Sequence, residues 1–479
     1  MFAKYFGLAL ILLANCSFAN SPDGNFDTAW GHAGSIVQRQ YAGGFGGATD
    51  YYAAAIQPDG QLIVAGGCSD PFDPRAIYDA CFTRMFGSDG TLDHGFGPLS
   101  TGQARVGDIS PSLAGSPPLG GSRHYLSVDA QGNIAAFLLF YALRVTPNAS
   151  GAVSSLLRTA ECTDVLGIYA GSVSRSGKLI GVGKTPGQES VGVSRLNADA
   201  SYDTNFNSTS ACGGLDVGNS MASNNLPHAN AVAVQTIQGD DKILVAGYSD
   251  TGSGMQATVI RINGNGTIDA SFGSAGVTRF HFYAASNDDV LNAIAVDVQG
   301  NIVVGGYHQV AGLDHDFLIA RLLANGTLDS TFGNPVGAGT SHSGMTTVAF
   351  DLGKAGYGNN SPNTDEANDL LIQPDGKILL GGSSAYDNLG HSRLALTRLS
   401  RDGVMDTSFA AASPLGAGKL GGTYPAGAGL DDSIDAILLA PGDRTYIVGH
   451  SLDGSGARAF GVARLTLDSL DPVFKGNFD

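Results

Sequence analysis

Residues 365–409 read DEANDLLIQPDGKILLGGSSAYDNLGHSRLALTRLSRDGVMDTSF, and weaker copies of this stretch recur along the chain. Its apolar runs are short and rich in leucine and β-branched residues, which favours β-strands. The PDG tripeptide at 374–376 is typical of a tight hairpin, because proline presets one backbone angle and glycine accepts a positive φ. The apolar residues are consecutive within each run, so we expect both faces of each strand to be buried. The unit is predicted to form an antiparallel sheet.

Each copy ends in an aspartate, two variable residues and an aromatic residue. These terminal aromatic residues recur at intervals on the order of 60 residues, which indicates a solenoid, an array or a propeller. They are Trp30, Phe96, Phe206, Phe272, Phe332, Phe409 and Phe474. The segment DGNFDTAWG near the N terminus is only the end of a unit, and the second complete unit has lost the Asp-x-x-Phe ending.

The pattern PDGKILxGG followed by ARLxxDGxLDxxFG resembles the delta-60 repeat family of secreted bacterial proteins. The resemblance covers about residues 23–474 and is weakest in the second and seventh units. It implies a β-propeller, and the function of that family is unknown.

Counting the strands predicts how such a ring closes. Seven units each supply three strands, and a fourth extended piece follows each terminal aromatic residue, except that the seventh unit ends before making one. The segment 35–40 near the N terminus would then complete the last blade and remove an exposed sheet edge. We therefore predict an all-β protein with a single propeller of seven four-stranded antiparallel blades over residues 20–479. The alternative is six blades, if the second unit is an insertion.

Residues 1–19 have the pattern of a signal peptide: Lys4, an apolar run and the small residues Ser17 and Ala19 flanking Phe18. Export to the periplasm or the extracellular space is therefore expected, with an N-terminal membrane anchor as the alternative. The run is too short for a typical membrane-spanning helix. After removal of the signal peptide, no membrane insertion is expected.

The net charge of −17 excludes the usual electrostatic basis for binding nucleic acids or anionic membranes. No cofactor is expected. Calcium at residues 263–269 is an alternative, because NGNGTID faintly resembles a calcium loop without its terminal glutamate. A metal site at His308, His315, Asp314 and Asp316 is a second possibility, although an accidental cluster explains these residues as well. No catalytic residue is predicted, because neither a G-x-S-x-G nor an H-E-x-x-H motif occurs.

Four cysteines remain after the signal peptide, namely Cys68, Cys81, Cys162 and Cys212. Four thiols allow three pairings. The pairing Cys68–Cys81 across one hairpin, together with Cys162–Cys212, is favoured in an oxidising compartment.

An arginine on the third strand and an aspartate three residues before the aromatic residue recur with the units. A catalytic group is needed once, whereas a structural fastener is needed in every blade, and arginine suits bidentate pairing with carboxylate. We therefore predict structural Arg–Asp pairs. Their residues are Arg84, Arg195, Arg261, Arg321, Arg398 and Arg464, with Asp93, Asp203, Asp269, Asp329, Asp406 and Asp471. Arg144 of the second unit has no corresponding aspartate.

The connections between the second and third strands, and between successive units, vary in length and share one end of the ring. Variable loops on a rigid scaffold are where binding residues concentrate. The candidate binding residues are Tyr78, Tyr248, His308, His315, Tyr386, His391 and His450. The predicted function is a secreted scaffold that binds a protein or a glycan there. The alternative is a metal-dependent, lactonase-like or lyase-like propeller enzyme with an axial site.

Overall fold

The computed structural model describes only part of the chain. The described residues are 24–38, 53–69, 78–97, 101–105, 125–128, 132–138, 141–147, 153–157, 166–185, 190–199, 201–207, 214–217, 227–282, 288–312, 314–334, 343–352, 363–387, 389–427, 431–442, 444–452 and 458–467. Within these ranges every regular element is a β-strand, and no helix is long and apolar enough to cross a membrane.

Six sheets, named I to VI, have four antiparallel strands each. Sheet I contains β3 (Ala53–Ile56), β4 (Leu62–Ser69), β5 (Tyr78–Met85) and β6 (Gln103–Arg105). Sheet II contains β7 (Tyr125–Val128), β8 (Ile134–Leu138), β9 (Tyr141–Pro147) and β10 (Val153–Leu157). Sheet III contains β11 (Leu166–Val173), β12 (Leu179–Lys184), β13 (Val191–Leu196) and β14 (Gly214–Asp216).

The remaining sheets complete the ring. Sheet IV contains β15 (Pro227–Ile237), β16 (Asp240–Asp250), β17 (Met255–Ile262) and β18 (Val277–Phe280). Sheet V contains β19 (Asp289–Val296), β20 (Ile302–Ala311), β21 (Asp314–Leu322) and β22 (Met345–Val348). Sheet VI contains β23 (Asp365–Ile372), β24 (Ile378–Ala385), β25 (Ser392–Leu399) and β26 (Lys419–Gly422). The closing sheet contains β1 (Asn25–Phe26), β2 (Ser35–Gln38), β27 (Ala436–Ala440), β28 (Arg444–Leu452) and β29 (Arg458–Thr466).

The first strand of each sheet lies on the inside of the ring. β3 contacts β7, and the contacts continue through β11, β15, β19, β23 and β27, which returns to β3. The predicted all-β propeller is therefore confirmed. The finer prediction of seven four-stranded blades needs correction, because six sheets have four strands and the closing sheet has five.

The extra strand of the closing sheet has a local cause. In this sheet β1 and β2 pair with the same edge of β29, and Phe26 lies opposite Leu465. Five other sheets have an isolated bridge at the corresponding place, for example Ile268 opposite Ile262. β1 extends this bridge to two residues, because Asn25 also pairs with Thr466. The segment that was predicted to supply one strand therefore supplies two.

The hydrophobic cores lie between neighbouring sheets, as the consecutive apolar runs predict. One core joins sheets IV and V through Leu244, Val259, Leu291 and Leu318. In β13 all residues are buried, so both of its faces pack against protein. Each strand of this kind removes apolar surface from water on two sides, which is worth about 25 cal/mol per Å².

Asparagines at β-bulges also tie the inner strands together. The pairing between β15 and β16 shifts at Asn230, whose Nδ2 donates to the Leu291 carbonyl of sheet V at 3.0 Å. Asn292 repeats this contact to Ala367 of sheet VI at 3.0 Å, and Asn368 to Ile434 of the closing sheet at 3.0 Å. A β-bulge interrupts the alternation of side chains between the two faces of a strand. Here it directs the asparagine amide toward the next sheet.

Candidate functional site

The ring has two ends. The turn rim is the end with the short turns after the first and third strands, such as 374–376 and 400–403. The loop rim is the opposite end, which contains the connections between second and third strands and between successive sheets. The two rims place the predicted residues in different surroundings.

At the turn rim, an arginine of the third strand pairs with an aspartate in six of the seven sheets, namely sheets I, III, IV, V and VI and the closing sheet. The nitrogen–oxygen distances are 2.6 Å for Arg84–Asp93, 2.7 Å for Arg195–Asp203, 2.8 Å for Arg261–Asp269, 2.7 Å for Arg321–Asp329, 2.8 Å for Arg398–Asp406 and 2.6 Å for Arg464–Asp27. We call these contacts the Arg–Asp clamps.

Each clamp is a small network rather than a lone ion pair. In sheet V, the Oδ1 atom of Asp329 accepts hydrogen bonds from the amide and the hydroxyl of Thr331 at 2.9 and 2.7 Å. The guanidinium carbon of Arg321 lies 4.7 Å from the ring centroid of Phe332. Burial alone would raise the pKa of Asp329, but the Thr331 hydrogen bonds and Arg321 lower it below its usual value. The carboxylate is therefore held in its charged form.

The guanidinium groups also reach the neighbouring sheet. The Nη1 atom of Arg321 donates to the Arg401 carbonyl of sheet VI at 2.7 Å, and that of Arg464 donates to the Gly87 carbonyl of sheet I at 3.0 Å. One arginine thus joins a carboxylate of its own sheet to the backbone of the next. Arg261 makes the same kind of contact with the Ala324 carbonyl, so in these three sheets the clamps act as fasteners between sheets.

The closing sheet forms its clamp with an unexpected partner. The sequence suggested Asp471 of the same unit, but the structure pairs Arg464 with Asp27 of the N-terminal segment. The guanidinium carbon lies 5.8 Å from the ring centroid of Trp30, which therefore takes the place of the terminal aromatic residue. Asp471 and the side chain of Arg144 lie outside the described part of the chain.

The turn rim also has a cleft that the sequence analysis missed. A groove of about 140 Å³ lies between sheets V and VI, lined by residues that include Asp297, Arg321 and Gly376. At the equivalent position of sheet IV, Gln235 donates to the Gly300 carbonyl of the next sheet at 2.7 Å. The carboxylate of Asp297 instead accepts local hydrogen bonds from residues 299 and 301, so it does not bridge the interface.

At the loop rim, three successive sheets carry flat stacked side chains. His228 stacks on Tyr248 in sheet IV, with ring centroids 4.5 Å apart and an interplanar angle of 9°. Tyr307 stacks on His315 in sheet V at 4.5 Å and 11°. In sheet VI, the guanidinium carbon of Arg393 lies 4.0 Å from the ring centroid of Tyr386. Tyr386 remains 39% exposed.

Polar contacts between sheets connect these stacks into one surface. The amide of Met255 donates to Asp288 of sheet V at 2.7 Å, and the Nδ1 atom of His315 lies 3.2 Å from Glu366 of sheet VI. Beyond sheet VI, Ser392 donates to the Asp432 carbonyl of the closing sheet at 3.0 Å. We call this surface the rim strip, and its residues are His228, Tyr248, Asp288, Tyr307, His315, Glu366, Tyr386, Asp387, His391, Arg393, Asp431, Asp435 and His450.

The histidines at the sheet VI end of the rim strip are bonded to carboxylates. The Nδ1 atom of His391 lies 2.5 Å from Asp387, and that of His450 lies 3.3 Å from Asp435. His391 and His450 keep about a third of their side chains exposed, at 31% and 35%. Both rings are therefore partly exposed and held on one side by a carboxylate, and the Nε2 atom of His450 also lies 4.0 Å from Asp431.

His308 differs from the other candidate binding residues whose side chains are described, because it is buried with an exposed fraction of 1%. It lies opposite Asp289 in the pairing of β19 with β20, and its Nδ1 atom is 2.7 Å from that carboxylate. His281 also contacts Asp289, at 2.9 Å. His308 therefore belongs to the interior and not to the exposed rim. His315 points toward Glu366 instead, so the two histidines do not form the suggested metal site.

Asp289 is one of three buried aspartates at or just before the inner strands of successive sheets, and the sequence analysis missed this group. Asp289, Asp365 and Asp432 are each 0% exposed. Burial raises the pKa of Asp365 to about 7, although hydrogen bonds from Ser384 and from backbone amides oppose the shift. Burial likewise raises the pKa of Asp432 to about 6. An aspartate at the same place in three successive units was the signal that could have revealed them.

Of the four predicted disulfide cysteines and Tyr78, only Cys81 has a side chain in the described part of the chain. Cys81 is disulfide-bonded and 1% exposed, while the side chains of Cys68 and Tyr78, as well as Cys162 and Cys212, lie outside the described part. The pairing Cys68–Cys81 therefore stays a prediction.

The calcium-like segment 263–269 is occupied by internal contacts. Asn263 Oδ1 accepts from Lys242 at 2.6 Å, Asn265 Oδ1 accepts from Thr267 at 3.1 Å, and Asp269 accepts from Arg261. Within the described residues, no three histidine, cysteine, aspartate or glutamate side chains form a group that could hold a metal ion.

Three segments match the family described as "Domain of unknown function (DUF5122) beta-propeller", namely residues 238–272, 300–332 and 373–409. They fall in sheets IV, V and VI, and each ends on the aromatic residue of a clamp. The resemblance to a propeller repeat family is therefore confirmed in these sheets.

Solved structures with a similar course of the chain include proteins of different kinds. A protein of unknown function from Dyadobacter fermentans is 12% identical, with 91% of this chain and 98% of that chain covered and a TM-score of 0.39. Virginiamycin B lyase from Staphylococcus aureus is 8% identical over 90% and 99% of the two chains, with a TM-score of 0.41. A gluconolactonase from Xanthomonas campestris is 13% identical over 75% and 91%, with a TM-score of 0.33. No curated protein matches the sequence.

Proposed function

We propose that this protein is an exported scaffold that binds a neutral glycan along the rim strip. The observation that carries the proposal is the series of three stacked pairs on successive sheets, each beside carboxylates or histidines. Aromatic side chains offer large contact area at low cost in conformational entropy. Polar groups around them can bond to hydroxyls, which is the combination that a sugar ring requires.

The electrostatics of the rim strip favour a neutral ligand over a basic protein. Asp288 accepts from the backbone of Met255, Asp387 bonds His391, and Asp435 bonds His450. These carboxylates already have internal partners, so less of their charge is directed outward. The rim strip therefore offers flat rings and oriented polar atoms rather than a field that would attract a cation.

The placement of the stacks in successive sheets supports an extended ligand. The sheets are arranged side by side around the ring, so a chain of sugar units could contact one stack in each of several sheets. Several weak contacts on one rigid ligand add in the manner of multivalent binding. The alternative of a metal-dependent lactonase-like or lyase-like enzyme has no supporting cluster among the described residues.

The proposal also includes export of the protein and the delta-60 character of its repeats. Residues 1–19 would be removed on secretion, and the ring of delta-60-like repeats would then act in the periplasm or outside the cell. The N-terminal sequence of the exported protein tests this part, because cleavage after Ala19 leaves Asn20 as the first residue. A retained Met1 in the exported protein would contradict it.

The glycan proposal is tested with insoluble cellulose, starch, β-glucan and xylan, followed by calorimetry with oligosaccharides of any polymer that retains the protein. Tyr307→Ala and Tyr386→Ala should each lower affinity about fivefold, since an aromatic contact of this kind is worth on the order of 1 kcal/mol. The matched control is Asp402→Asn at the turn rim, whose side chain is 69% exposed. Retention of poly-lysine in place of every glycan would overturn the proposal in favour of a basic partner.

A further inference from the structure

The chain contains two copies of the segment that completes the closing sheet. Residues 25–30 read NFDTAW and residues 469–474 read SLDPVF, so each has an apolar residue, an aspartate and an aromatic residue at the same spacing. We call residues 24–38 the closing segment and residues 469–474 the tail motif. The ring has one place for them, because β29 has a single edge opposite β28.

The closing segment occupies this place in the same way as the endings of other units. Asp27 bonds Arg464, and Trp30 packs edge-on against Tyr446 with ring centroids 5.5 Å apart. A Cβ added at Gly90 of sheet I would lie 2.8 Å from the Trp30 ring. Gly403 faces Phe332 in the same way, at 2.6 Å. We call Arg464, Tyr446, Gly90 and the edge of β29 the acceptor site.

The tail motif has the chemistry that the acceptor site requires. Asp471 and Phe474 repeat the spacing of Asp27 and Trp30, and Leu470 repeats the apolar place of Phe26. In the clamps, the aspartate accepts from the amide two residues later, as Asp27 does from Ala29. Pro472 is only one residue after Asp471, so its missing N–H does not affect this contact.

The turn before the tail motif explains why the closing segment occupies the site. In four clamps the arginine and the aspartate are eight residues apart. Arg464 and Asp471 are only seven residues apart, and no glycine lies between them. Three of those four turns contain a glycine with positive φ, namely Gly266, Gly326 and Gly403. To place Asp471 beside Arg464, the chain would need a turn one residue shorter and without the residue that adopts positive φ most easily.

We propose that the acceptor site is an exchangeable binding site, which takes the tail motif of this chain when the closing segment leaves it. The closing segment is held by a short pairing, two residues in β1 and four in β2. Its release exposes a β-strand edge and leaves Arg464 without its carboxylate partner, while the guanidinium keeps its bonds to the Gly87 and Ser88 carbonyls. A second segment with an apolar residue, an aspartate and an aromatic residue at the same spacing complements this surface. The partner is the tail motif, from the same chain or from a second copy.

The only tryptophan of the protein reports on this exchange. Trp30 is 0% exposed in the acceptor site, so displacement of the closing segment transfers it to water and shifts its emission to longer wavelength. A peptide of residues 466–479 is titrated into a protein truncated after Thr466, and the red shift should saturate. The same peptide with Asp471→Ala and Phe474→Ala is the control. Equal responses to the two peptides, or no shift with the first, would overturn the proposal.

Variants of the full chain give an independent test. Asp27→Ala should shift the Trp30 emission while lowering the urea midpoint less than Asp93→Ala, because sheet I has no second copy of its ending. Adding Asp471→Ala to Asp27→Ala should remove this protection, so that the urea midpoint falls to the level of Arg464→Ala. If the double variant unfolds at the same urea concentration as Asp27→Ala, the tail motif does not use the acceptor site. Gel filtration then separates exchange within one chain from exchange between two copies.

Discussion

The two rims of the ring use aspartate in opposite ways. At the turn rim, Asp406 lies against Arg398, and its pKa is about 2: burial alone would raise it, but Ser408, Arg398 and Lys377 outweigh burial. At the loop rim, Asp365 is buried, and neither an arginine nor a lysine offsets the effect of burial on its carboxyl. Its pKa therefore rises to about 7. The same side chain is thus a fixed charge at one end, and at the other it changes its charge near neutral pH.

The two rims also differ in how regularly their side-chain contacts recur from sheet to sheet. The clamps recur in six sheets with distances within 0.2 Å of one another, from 2.6 to 2.8 Å, as expected of parts that hold a ring together. The loop rim repeats less regularly, because its stacks pair a histidine with tyrosine in two sheets and an arginine with tyrosine in the third. Binding is therefore better sought where the repeat relaxes.

The largest expected effect concerns the buried aspartate of the loop rim. A carboxyl whose pKa is higher in the folded state holds its proton more tightly there, so stability is complete below the unfolded pKa of about 3.8 and is lost as pH rises toward 7. The loss attributable to Asp365 should approach about 4 kcal/mol over this range. Asp365→Asn should remove most of it, as measured by urea unfolding at pH 4 and at pH 7.

Asp432→Asn is the matched comparison for Asp365→Asn. The pKa of Asp432 is about 6, so its pH dependence should have the same sign and a smaller size. The clamps should show the opposite slope, because the lowered pKa of Asp406 contributes stability that is lost as pH falls from about 4 to 2. If Asp365→Asn leaves the profile between pH 4 and 7 unchanged, the two rims do not differ in this way.

The second effect concerns the clamp of sheet VI. Arg398→Ala should lower the free energy of unfolding by about 3 kcal/mol, because it strands a carboxylate beside a cavity left by a side chain that is only 2% exposed. The double variant with Asp406→Ala should lose less than the sum of the single losses. Urea unfolding of all four proteins measures the coupling.

The control for the clamp is the partly exposed pair of Lys377 and Asp375, at 3.7 Å with side chains 32% and 24% exposed. Lys377 also lies 3.3 Å from Asp406, so only Asp375 is changed. Asp375→Asn should cost less than about 1 kcal/mol. Comparable losses at the clamp and at this pair would mean that burial does not distinguish the repeated contacts.

The repeated features of the turn rim could be predicted from the sequence, because they are local. An arginine and an aspartate eight residues apart on a strand and its turn meet within one sheet, as Arg261 and Asp269 do. The partner of Arg464 was not predictable in this way, because Asp27 and Asp471 lie in equivalent sequence motifs. The repeat shows both candidates but not their relative stability.

The loop rim depends on contacts between sheets, which a single sequence does not show. His308 and His315 are both histidines near a loop, yet pairing in β19–β20 buries the first against Asp289. The charge state of Asp365 likewise depends on burial by neighbouring sheets. Loop variability singles out the loop rim as the candidate binding surface, but it does not distinguish the buried from the exposed candidates.

The third effect tests how tightly the sheets meet at the turn rim. Gly403 has a φ of +78°, and a Cβ there would lie 2.6 Å from the Phe332 ring of sheet V. Gly442 has a similar φ of +81° but nothing within 4 Å. Gly442→Ala should therefore cost about 1 kcal/mol for backbone strain alone, and Gly403→Ala about 2 kcal/mol because the ring must also move. Equal losses in thermal unfolding would show that the interface is not closely packed.

The smallest expected effect on stability is at the rim strip. Tyr386→Ala removes a side chain that is 39% exposed, so the free energy of unfolding should fall by less than about 1 kcal/mol, mainly through its contact with Arg393. Val298→Ala at the turn rim, where the side chain is 87% exposed, should be equally mild. The two variants should differ in glycan retention, which only Tyr386→Ala lowers. A loss of retention in both would assign binding to general surface contact, while a large loss of stability in Tyr386→Ala would make this tyrosine part of the scaffold and remove the distinction between a structural rim and a binding rim.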